Sequence, residues 1–166
     1  MKTISKFLFI AVLLIASNAM ADTLNLFISV PNTAVNPYPA GYINLLVDRT
    51  SSTMATFTFT SMNVAPYIYL MGDGSSVGVN LNATSWTLGA ITGSNALAGF
   101  SPGPYSDSGS GNVSSFGTFN QTIQSFGGFT NTSDTISFGV TNTSGTWATV
   151  ADVLKANSDG FSAEAH

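Results

Sequence analysis

Hydrophobic and polar residues alternate with a period of two over much of the chain. The clearest run is Thr56-Phe57-Thr58-Phe59-Thr60, which places two phenylalanines on one face and three β-branched threonines on the other, as in a half-buried β-strand. The same alternation covers residues 24–30, 77–81 and 136–140. These runs predict strands, because successive side chains of a strand point to opposite faces of a sheet.

Four more segments are apolar enough to form strands. They are residues 42–47, 67–71, 85–91 and 161–166. Because Gly72-Asp73-Gly74 separates the segment at 67–71 from the one at 77–81, we expect those two strands to form a hairpin.

Two segments lack the alternation. Residues 101–112 contain two prolines and three glycines among serine, aspartate and asparagine, which predicts a long polar loop. Trp147, Val150, Ala151 and Leu154 recur at helical spacing, which predicts one short helix near 147–154.

The order of these elements predicts the fold class. About nine or ten short strands are separated by turns, without the alternation of strands and helices that parallel sheets require. This pattern is typical of an all-β fold, an antiparallel β-sandwich. We expect residues 22–166 to form it as a single domain.

The first 21 residues have the three parts of a cleavable secretory signal peptide. Lys2 and Lys6 provide a positive start, residues 7–16 are uninterrupted apolar sequence, and Ala19-Met20-Ala21 has the small-x-small pattern that signal peptidase cuts after. The apolar run is too short for a membrane-spanning helix, which needs about 20 residues. We expect cleavage before Asp22, a secreted, periplasmic or cell-surface location, and no transmembrane segment in the mature chain.

Charge and composition exclude several classes of function. Beyond residue 21 the chain has two basic residues, Arg49 and Lys155, against eight acidic ones, a formal charge of −6. Nucleic acid is therefore not an expected partner, because phosphate binding needs clustered lysine and arginine. The absence of cysteine excludes thiol nucleophiles and thiolate metal sites. Charged residues make up only 7% of the chain, which predicts a hydroxyl-rich surface, little capacity for acid–base chemistry and no cofactor.

One pentapeptide matches a catalytic motif. Gly74-Ser75-Ser76-Val77-Gly78 fits the Gly-x-Ser-x-Gly elbow of α/β-hydrolases, with Ser76 as the nucleophile. That elbow requires a helix after the serine, whereas residues 77–81 continue as a predicted strand. The one histidine is the last residue, His166, where a frayed end is unsuited to hold a catalytic base. We therefore predict no catalytic residue, and no metal site that His166 alone would have to build.

Aromatic side chains are better candidates for binding. The tryptophans and tyrosines considered are Trp86, Trp147, Tyr38, Tyr42, Tyr67, Tyr69 and Tyr105. Core packing accounts for most of them, Trp86 especially. Tyr105 lies in the predicted polar loop and is expected to be exposed. Tyr105 and Trp147 are the residues predicted to stack on sugar rings if the protein is a carbohydrate-binding module.

Motifs in the last third of the chain resemble those of one family. They are Ser133-Asp134-Thr135-Ile136-Ser137-Phe138, Asn142-Thr143-Ser144-Gly145-Thr146-Trp147, Ala151-Asp152-Val153-Leu154, Asn157-Ser158-Asp159-Gly160-Phe161 and Ala163-Glu164-Ala165-His166. Here the chain resembles exported bacterial proteins of the PEP-CTERM sorting class. The resemblance implies a Gram-negative bacterium and a place in its cell envelope or extracellular matrix. Members of that class end in a Pro-Glu-Pro motif, a hydrophobic helix and a basic cluster, which this sequence does not contain.

Taken together, the sequence predicts an exported, non-enzymatic β-sandwich of the cell surface or extracellular matrix. Its expected partners are polysaccharide or other matrix components. The alternative is a carbohydrate-binding module that uses exposed aromatic residues.

Overall fold

The computed structural model describes residues 21–31, 39, 41–125 and 129–166. The predicted signal peptide falls on residues 1–21, so all of it except Ala21 lies outside the described residues. Asp22, the predicted first residue of the mature chain, begins the first strand.

The described residues form an all-β fold, which confirms the predicted class. The strands are β1 (Asp22–Ile28), β2 (Ile43–Arg49), β3 (Met54–Ser61), β4 (Asn63–Val64), β5 (Tyr67–Ile68), β6 (Val77–Val79), β7 (Trp86–Ser94), β8 (Tyr105–Val113), β9 (Gly117–Ser125), β10 (Thr135–Asn142) and β11 (Ala163–Ala165). In this part of the chain they form a five-stranded sheet, β1-β2-β3-β10-β7, a four-stranded sheet, β11-β6-β9-β8, and a small β4-β5 ribbon. Neighbouring strands are antiparallel throughout.

One hydrophobic core joins the two larger sheets. Phe57 lies opposite Phe138 in the pairing of β3 with β10, and their rings stack with centroids 5.2 Å apart. Phe59 stacks on the same ring at 6.3 Å. Val77 of β6 and Ile123 of β9 belong to the same buried cluster from the other sheet. Burial that alternates along β3 and β10 shows that each strand presents one face to a core shared between two sheets, as in a β-sandwich.

The predicted hairpin between residues 67–71 and 77–81 is wrong. β5 pairs with β4, where Val64 lies opposite Tyr67. β6 instead lies between β11 and β9 in the four-stranded sheet. The glycine-rich turn at residues 72–74 therefore leads from one sheet to another. A turn sequence indicates a change of chain direction, but it does not determine which strand the next segment pairs with.

The predicted polar loop at residues 101–112 is wrong from Tyr105 onward. Tyr105–Val113 is β8, which pairs with β9 along its length. The register shifts between residues 107 and 109 and again between 109 and 111, as bulges do when they take up extra residues. An added Cβ at Gly111 would lie 3.0 Å from the Thr122 side chain. Gly111 therefore allows β8 to approach β9 closely. The glycine content that predicts a loop instead serves this close strand pairing.

The predicted short helix near 147–154 is a single 3-10 turn, Val150–Asp152. The Asp152 carboxylate accepts hydrogen bonds from the backbone N–H and the hydroxyl of Thr149, at 2.8 and 2.9 Å. Leu154 then bridges to Leu81 in antiparallel fashion. The apolar residues whose spacing predicts a helix instead belong to a short turn and its flanking residues, which pack against the core. Within the ranges that the structure describes, no helix is long and apolar enough to span a membrane.

Candidate functional site

A pocket of about 610 Å³, here called the main pocket, opens where β1 ends and β2 begins. It is lined by Ile28, Val30, Pro31, Tyr42, Ile43, Tyr69, Leu70, Met71, Asp73, Gly74, Ser75, Asn112, Val113, Ser114, Phe116, Ala165 and His166. These residues come from β1, β2, the segment before β6, the turn between β8 and β9, and the end of β11. Its volume lies within the range of small-molecule sites, roughly 300–1,000 Å³, and its mostly apolar lining is typical of them.

Two tyrosines form one wall of the main pocket. The rings of Tyr42 and Tyr69 meet edge to face, with centroids 4.9 Å apart and planes at 87°. The Tyr69 hydroxyl donates a hydrogen bond to the carbonyl of Pro39 at 2.9 Å. The edge-to-face contact orients both rings, because the positive edge of one meets the negative face of the other.

A few polar groups interrupt this apolar lining. They are contributed by Asp73, Ser75, Asn112, Ser114 and His166. Asp73 is exposed and has a φ of 64°, a left-handed conformation that aspartate adopts more readily than most residues. The Ser76 hydroxyl donates to the Asp73 carbonyl at 3.0 Å and so stabilises this turn.

His166 is held in place rather than frayed. Its backbone N–H donates to the Ser76 carbonyl at 3.0 Å, and its carbonyl accepts from Gly72 at 2.7 Å. The expectation that the last residue would be too mobile to lie near Ser76 is therefore wrong. β11 pairs with β6, and this pairing continues as far as His166.

The Ser76 hydroxyl nevertheless lies inside the sandwich. Ser76 is fully buried, and its oxygen lies 2.9 Å from the Ser125 hydroxyl and accepts a hydrogen bond from the Ser125 N–H at 3.0 Å. A strand follows it, beginning at Val77, where the nucleophile elbow requires a helix. The pentapeptide match therefore lacks the local structure that gives the motif its chemistry.

Tyr105 is not the exposed loop residue that the sequence predicts. It is the first residue of β8 and is half-buried against the core. Its hydroxyl lies 2.6 Å from the Ser133 hydroxyl. Burial raises the pKa of the Tyr105 phenol, and the nearby Asp134 carboxylate adds to the shift. The Tyr105 ring therefore packs against the core and is not a freely exposed loop side chain.

Trp147, the other predicted stacking residue, belongs to the core. It is 1% exposed, and its indole N–H donates to the Asn82 carbonyl at 2.8 Å. A residue this buried cannot stack on a ligand ring without leaving its site. Of the tryptophans and tyrosines considered, those that line the main pocket are Tyr42 and Tyr69, which the sequence does not single out. Their shared location depends on segments far apart in the chain, and no local pattern records it.

A second, smaller cavity of about 240 Å³, here called the edge groove, lies beside the main pocket. It is lined by Leu26, Phe27, Ile28, Ser29, Val30, Phe116, Gly160, Phe161, Ser162, Ala163, Glu164 and Ala165. It therefore lies between β1 and β11, the edge strands of the two larger sheets. Ile28, Val30, Phe116 and Ala165 line both cavities, so the two are adjacent.

Glu164 of β11 is the unusual polar residue of the edge groove. It is 3% exposed, and neither carboxyl oxygen has a hydrogen-bond partner in the part of the chain that the structure describes. Burial raises the pKa of Glu164 to about 8. Its Oε1 atom lies 2.7 Å from the position that a Cβ on Gly78 would occupy. The missing side chain of Gly78 therefore makes room for this carboxyl group.

Cationic groups are scarce around these cavities. Among the described residues that line them there is no lysine or arginine. Arg49 instead forms an ion pair with Asp22, with Nε 2.6 Å from Oδ1. The described ranges contain no group of three or more histidine, cysteine, aspartate or glutamate residues placed to bind a metal.

Comparison with known protein families, curated proteins and solved structures finds no match for this chain. The class of the protein is therefore described from its fold and its cavities. It is an antiparallel β-sandwich with a mostly apolar pocket between its sheets.

Proposed function

We propose that the protein is an exported, non-enzymatic β-sandwich of the bacterial cell surface or extracellular matrix, which binds a ligand through the main pocket. The N-terminal pattern supports export, and the PEP-CTERM resemblance supports placement in the envelope or matrix. The single observation that carries the binding function is a pocket of about 610 Å³ with an apolar lining and a few polar groups, the usual character of a ligand site.

The binding function is tested with N-phenyl-1-naphthylamine, an uncharged apolar dye that fluoresces when it enters an apolar site. We expect saturable binding to the exported protein. Val30→Asn should weaken binding by at least threefold, because Val30 lines both cavities. Met54→Asn is the matched control, since Met54 is also an exposed large apolar residue but lines neither cavity. Absence of saturable binding, or equal loss in both variants, would overturn the proposal.

Export is tested separately by cell fractionation and N-terminal sequencing. The proposal expects the protein outside the inner membrane, with Asp22 as its first residue. A protein that remains in the cytoplasm with residues 1–21 attached would contradict it.

Carbohydrate binding is a second candidate function, and the Tyr42–Tyr69 pair is the observation that favours it. Tyrosine rings beside polar groups such as those of Asn112 and Ser75 can combine stacking with hydrogen bonds. Retention on immobilised polysaccharide should then be lost in Tyr69→Ala. It should be kept in Tyr67→Ala, because Tyr67 is exposed and does not line the pocket. Equal retention of both variants and the unmodified protein would reject this use of the pocket.

A further inference from the structure

The edge groove runs along the edges of two strands rather than over the face of either sheet. Its lining includes two unbroken runs of residues, 26–30 at the end of β1 and 160–165, which lead into β11 and include it. Because successive side chains of a strand point to opposite faces, a cavity bordered by every residue of a run lies beside the edge of the strand. The groove therefore follows the line along which backbone groups meet a neighbouring strand.

On this side neither strand has a partner in the described part of the chain. β1 is the first strand of the five-stranded sheet and pairs there only with β2, and β11 is the first strand of the four-stranded sheet and pairs only with β6. A strand edge without a neighbour presents backbone donors and acceptors that a further extended chain can satisfy.

Among the sheet edges that the structure describes, β1 has the least protection against such pairing. Bulges, charged residues and shortness protect an edge. β8 has two register shifts against β9, β7 has one against β10, and β11 is three residues long. β1 instead pairs with β2 over seven residues in one continuous register, and its sequence from Thr23 to Ile28 is uncharged.

Two exposed apolar side chains lie at the end of β1 and just beyond it. Phe27 is 63% exposed and Val30 is 56% exposed, the highest values among the large hydrophobic residues that the structure describes. Both line the edge groove, together with Phe116 and Phe161, whose rings meet edge to face with centroids 5.1 Å apart. Exposed apolar residues gathered beside an unpaired strand edge are typical of an interaction site.

The charge of the protein selects among possible occupants. The chain beyond residue 21 has a formal charge of −6, and the described residues that line the groove include no lysine or arginine. A second copy would carry the same negative charge and be repelled, whereas a segment with basic ends would be attracted. The run 26–30 spans about 15 Å at about 3.3 Å per residue, which accommodates about five extended residues.

We propose that the free edge of β1 binds an extended peptide segment of another protein by strand addition. The segment pairs with β1 and continues the five-stranded sheet, while every second side chain enters the edge groove. Its centre is apolar and β-branched, as strands with one buried face are, and its ends are basic. This site is separate from ligand binding in the main pocket, because backbone pairing needs only the edge of β1.

The probe is the fluorescently labelled peptide acetyl-Lys-Val-Thr-Val-Thr-Val-Lys-amide, and its anisotropy reports binding to the exported protein. We expect saturable binding. The same peptide with N-methyl groups on its central residues keeps every side chain but cannot donate backbone hydrogen bonds. It should bind roughly tenfold more weakly or worse, the order expected for the loss of two hydrogen bonds. A version with glutamate in place of both lysines should bind about threefold more weakly or worse.

One pair of variants locates the peptide. Phe27→Asn should weaken binding of the probe by about fivefold or more, because it removes apolar surface that the peptide would cover. Phe27 does not line the main pocket, so binding of N-phenyl-1-naphthylamine should not change. Met54→Asn is the control, since Met54 is also an exposed large apolar residue but lines neither cavity. It should keep the full affinity for the probe.

Four results would overturn the inference. Absence of saturable binding would show that the edge accepts no such peptide. Equal binding of the N-methylated peptide would show that backbone pairing is not the mode of binding. Equal affinities in Phe27→Asn and Met54→Asn would place the peptide elsewhere. A dimer in sedimentation velocity that the probe dissociates would show that a second copy, and not another protein, occupies the edge of β1.

Discussion

Replacement of Trp147 by alanine is the sharpest test of the core. The side chain is 1% exposed, and removal of a buried tryptophan typically costs about 3–5 kcal/mol. Its indole N–H also donates to the Asn82 carbonyl at 2.8 Å. Trp147→Phe keeps most of the ring but leaves that carbonyl without its donor, so we expect it to cost about 1–3 kcal/mol.

Urea unfolding followed by circular dichroism measures both losses. With a slope of about 2 kcal/mol per molar urea, a loss of about 4 kcal/mol lowers the midpoint of Trp147→Ala by about 2 M. Trp86→Phe is the matched control, because the Trp86 indole N–H donates to a side-chain oxygen of Gln121 at 2.8 Å and its ring is only half-buried. It should lose less stability than Trp147→Phe, since shortening a half-buried ring removes less buried apolar surface than shortening a fully buried one.

The result that refutes this reasoning is also clear. A loss below about 1 kcal/mol for Trp147→Ala is typical of a surface substitution, and it would mean that the ring is not in the core. Weakened polysaccharide retention without loss of stability would restore Trp147 as a ligand-stacking residue.

Further predictions concern glycines and titration. Gly93→Ala should lower the melting temperature by several degrees, because the new Cβ would occupy the place of the Tyr105 hydroxyl. Gly89→Ala in the same strand is the control. Its Cβ would meet only ordinary contacts at 3.7 Å, so it should change the free energy of unfolding by less than about 0.5 kcal/mol. Equal melting temperatures for the two variants would contradict this packing. Burial raises the pKa of Glu164 from its ordinary 4.5 to about 8, so the contribution of Glu164 to the free energy of unfolding should be greatest below pH 4.5 and be lost as the pH rises to about 8. The total loss is on the order of 5 kcal/mol. Urea midpoints at pH 5 and pH 8.5 measure this loss, which should vanish in Glu164→Gln and persist in Asp159→Asn.

The strands that the sequence predicts are those with one buried face. In β3 the buried Phe57 and Phe59 alternate with threonines, and in β10 the buried Ile136 and Phe138 alternate with Thr135 and Ser137. Burial of one face selects apolar residues at every second position, so the pattern is written in the local sequence. Both strands pair with each other in register, although nothing local indicates that they are neighbours.

β8 shows what such a pattern cannot record. Its sequence from Tyr105 to Val113 contains serine, glycine, aspartate and asparagine between those two residues, and none of these signals burial. The strand is stabilised by backbone pairing with β9, which depends on residues beyond the next turn. Strand propensity reflects packing against neighbours, so a strand with few apolar residues cannot be predicted from its own sequence.

The main pocket could not be predicted from the sequence either, because five separate segments of the chain form it. Tyr42 and Tyr69 are 27 positions apart and become partners only when β2 and the segment after β5 meet. His166 joins them because β11 pairs with β6. The local sequence describes only the immediate surroundings of each aromatic residue, so it predicts Tyr105 to lie in a loop, where the structure has a strand.

The wealth of serine, threonine and asparagine has a structural role as well as a surface one. Asn120 donates to and accepts from the backbone of Leu81, at 2.8 and 2.7 Å, much as a paired strand would. Asn95 and Ser133 are buried, and Asn95 donates to the Thr132 carbonyl at 2.6 Å. Such neutral hydrogen bonds between distant segments connect loops in a chain that has no cysteine.

The same neutral groups also satisfy buried carboxylates. The buried Asp134 carboxylate, for example, accepts hydrogen bonds from the Ser94 hydroxyl at 2.8 Å and from the Leu97 backbone N–H at 2.9 Å, as buried polar groups usually do. Two buried side chains differ: among the described residues, neither the Ser61 hydroxyl nor the two carboxyl oxygens of Glu164 have a hydrogen-bond partner. An unpaired buried carboxyl costs free energy, so stability alone would favour a neutral residue in place of Glu164.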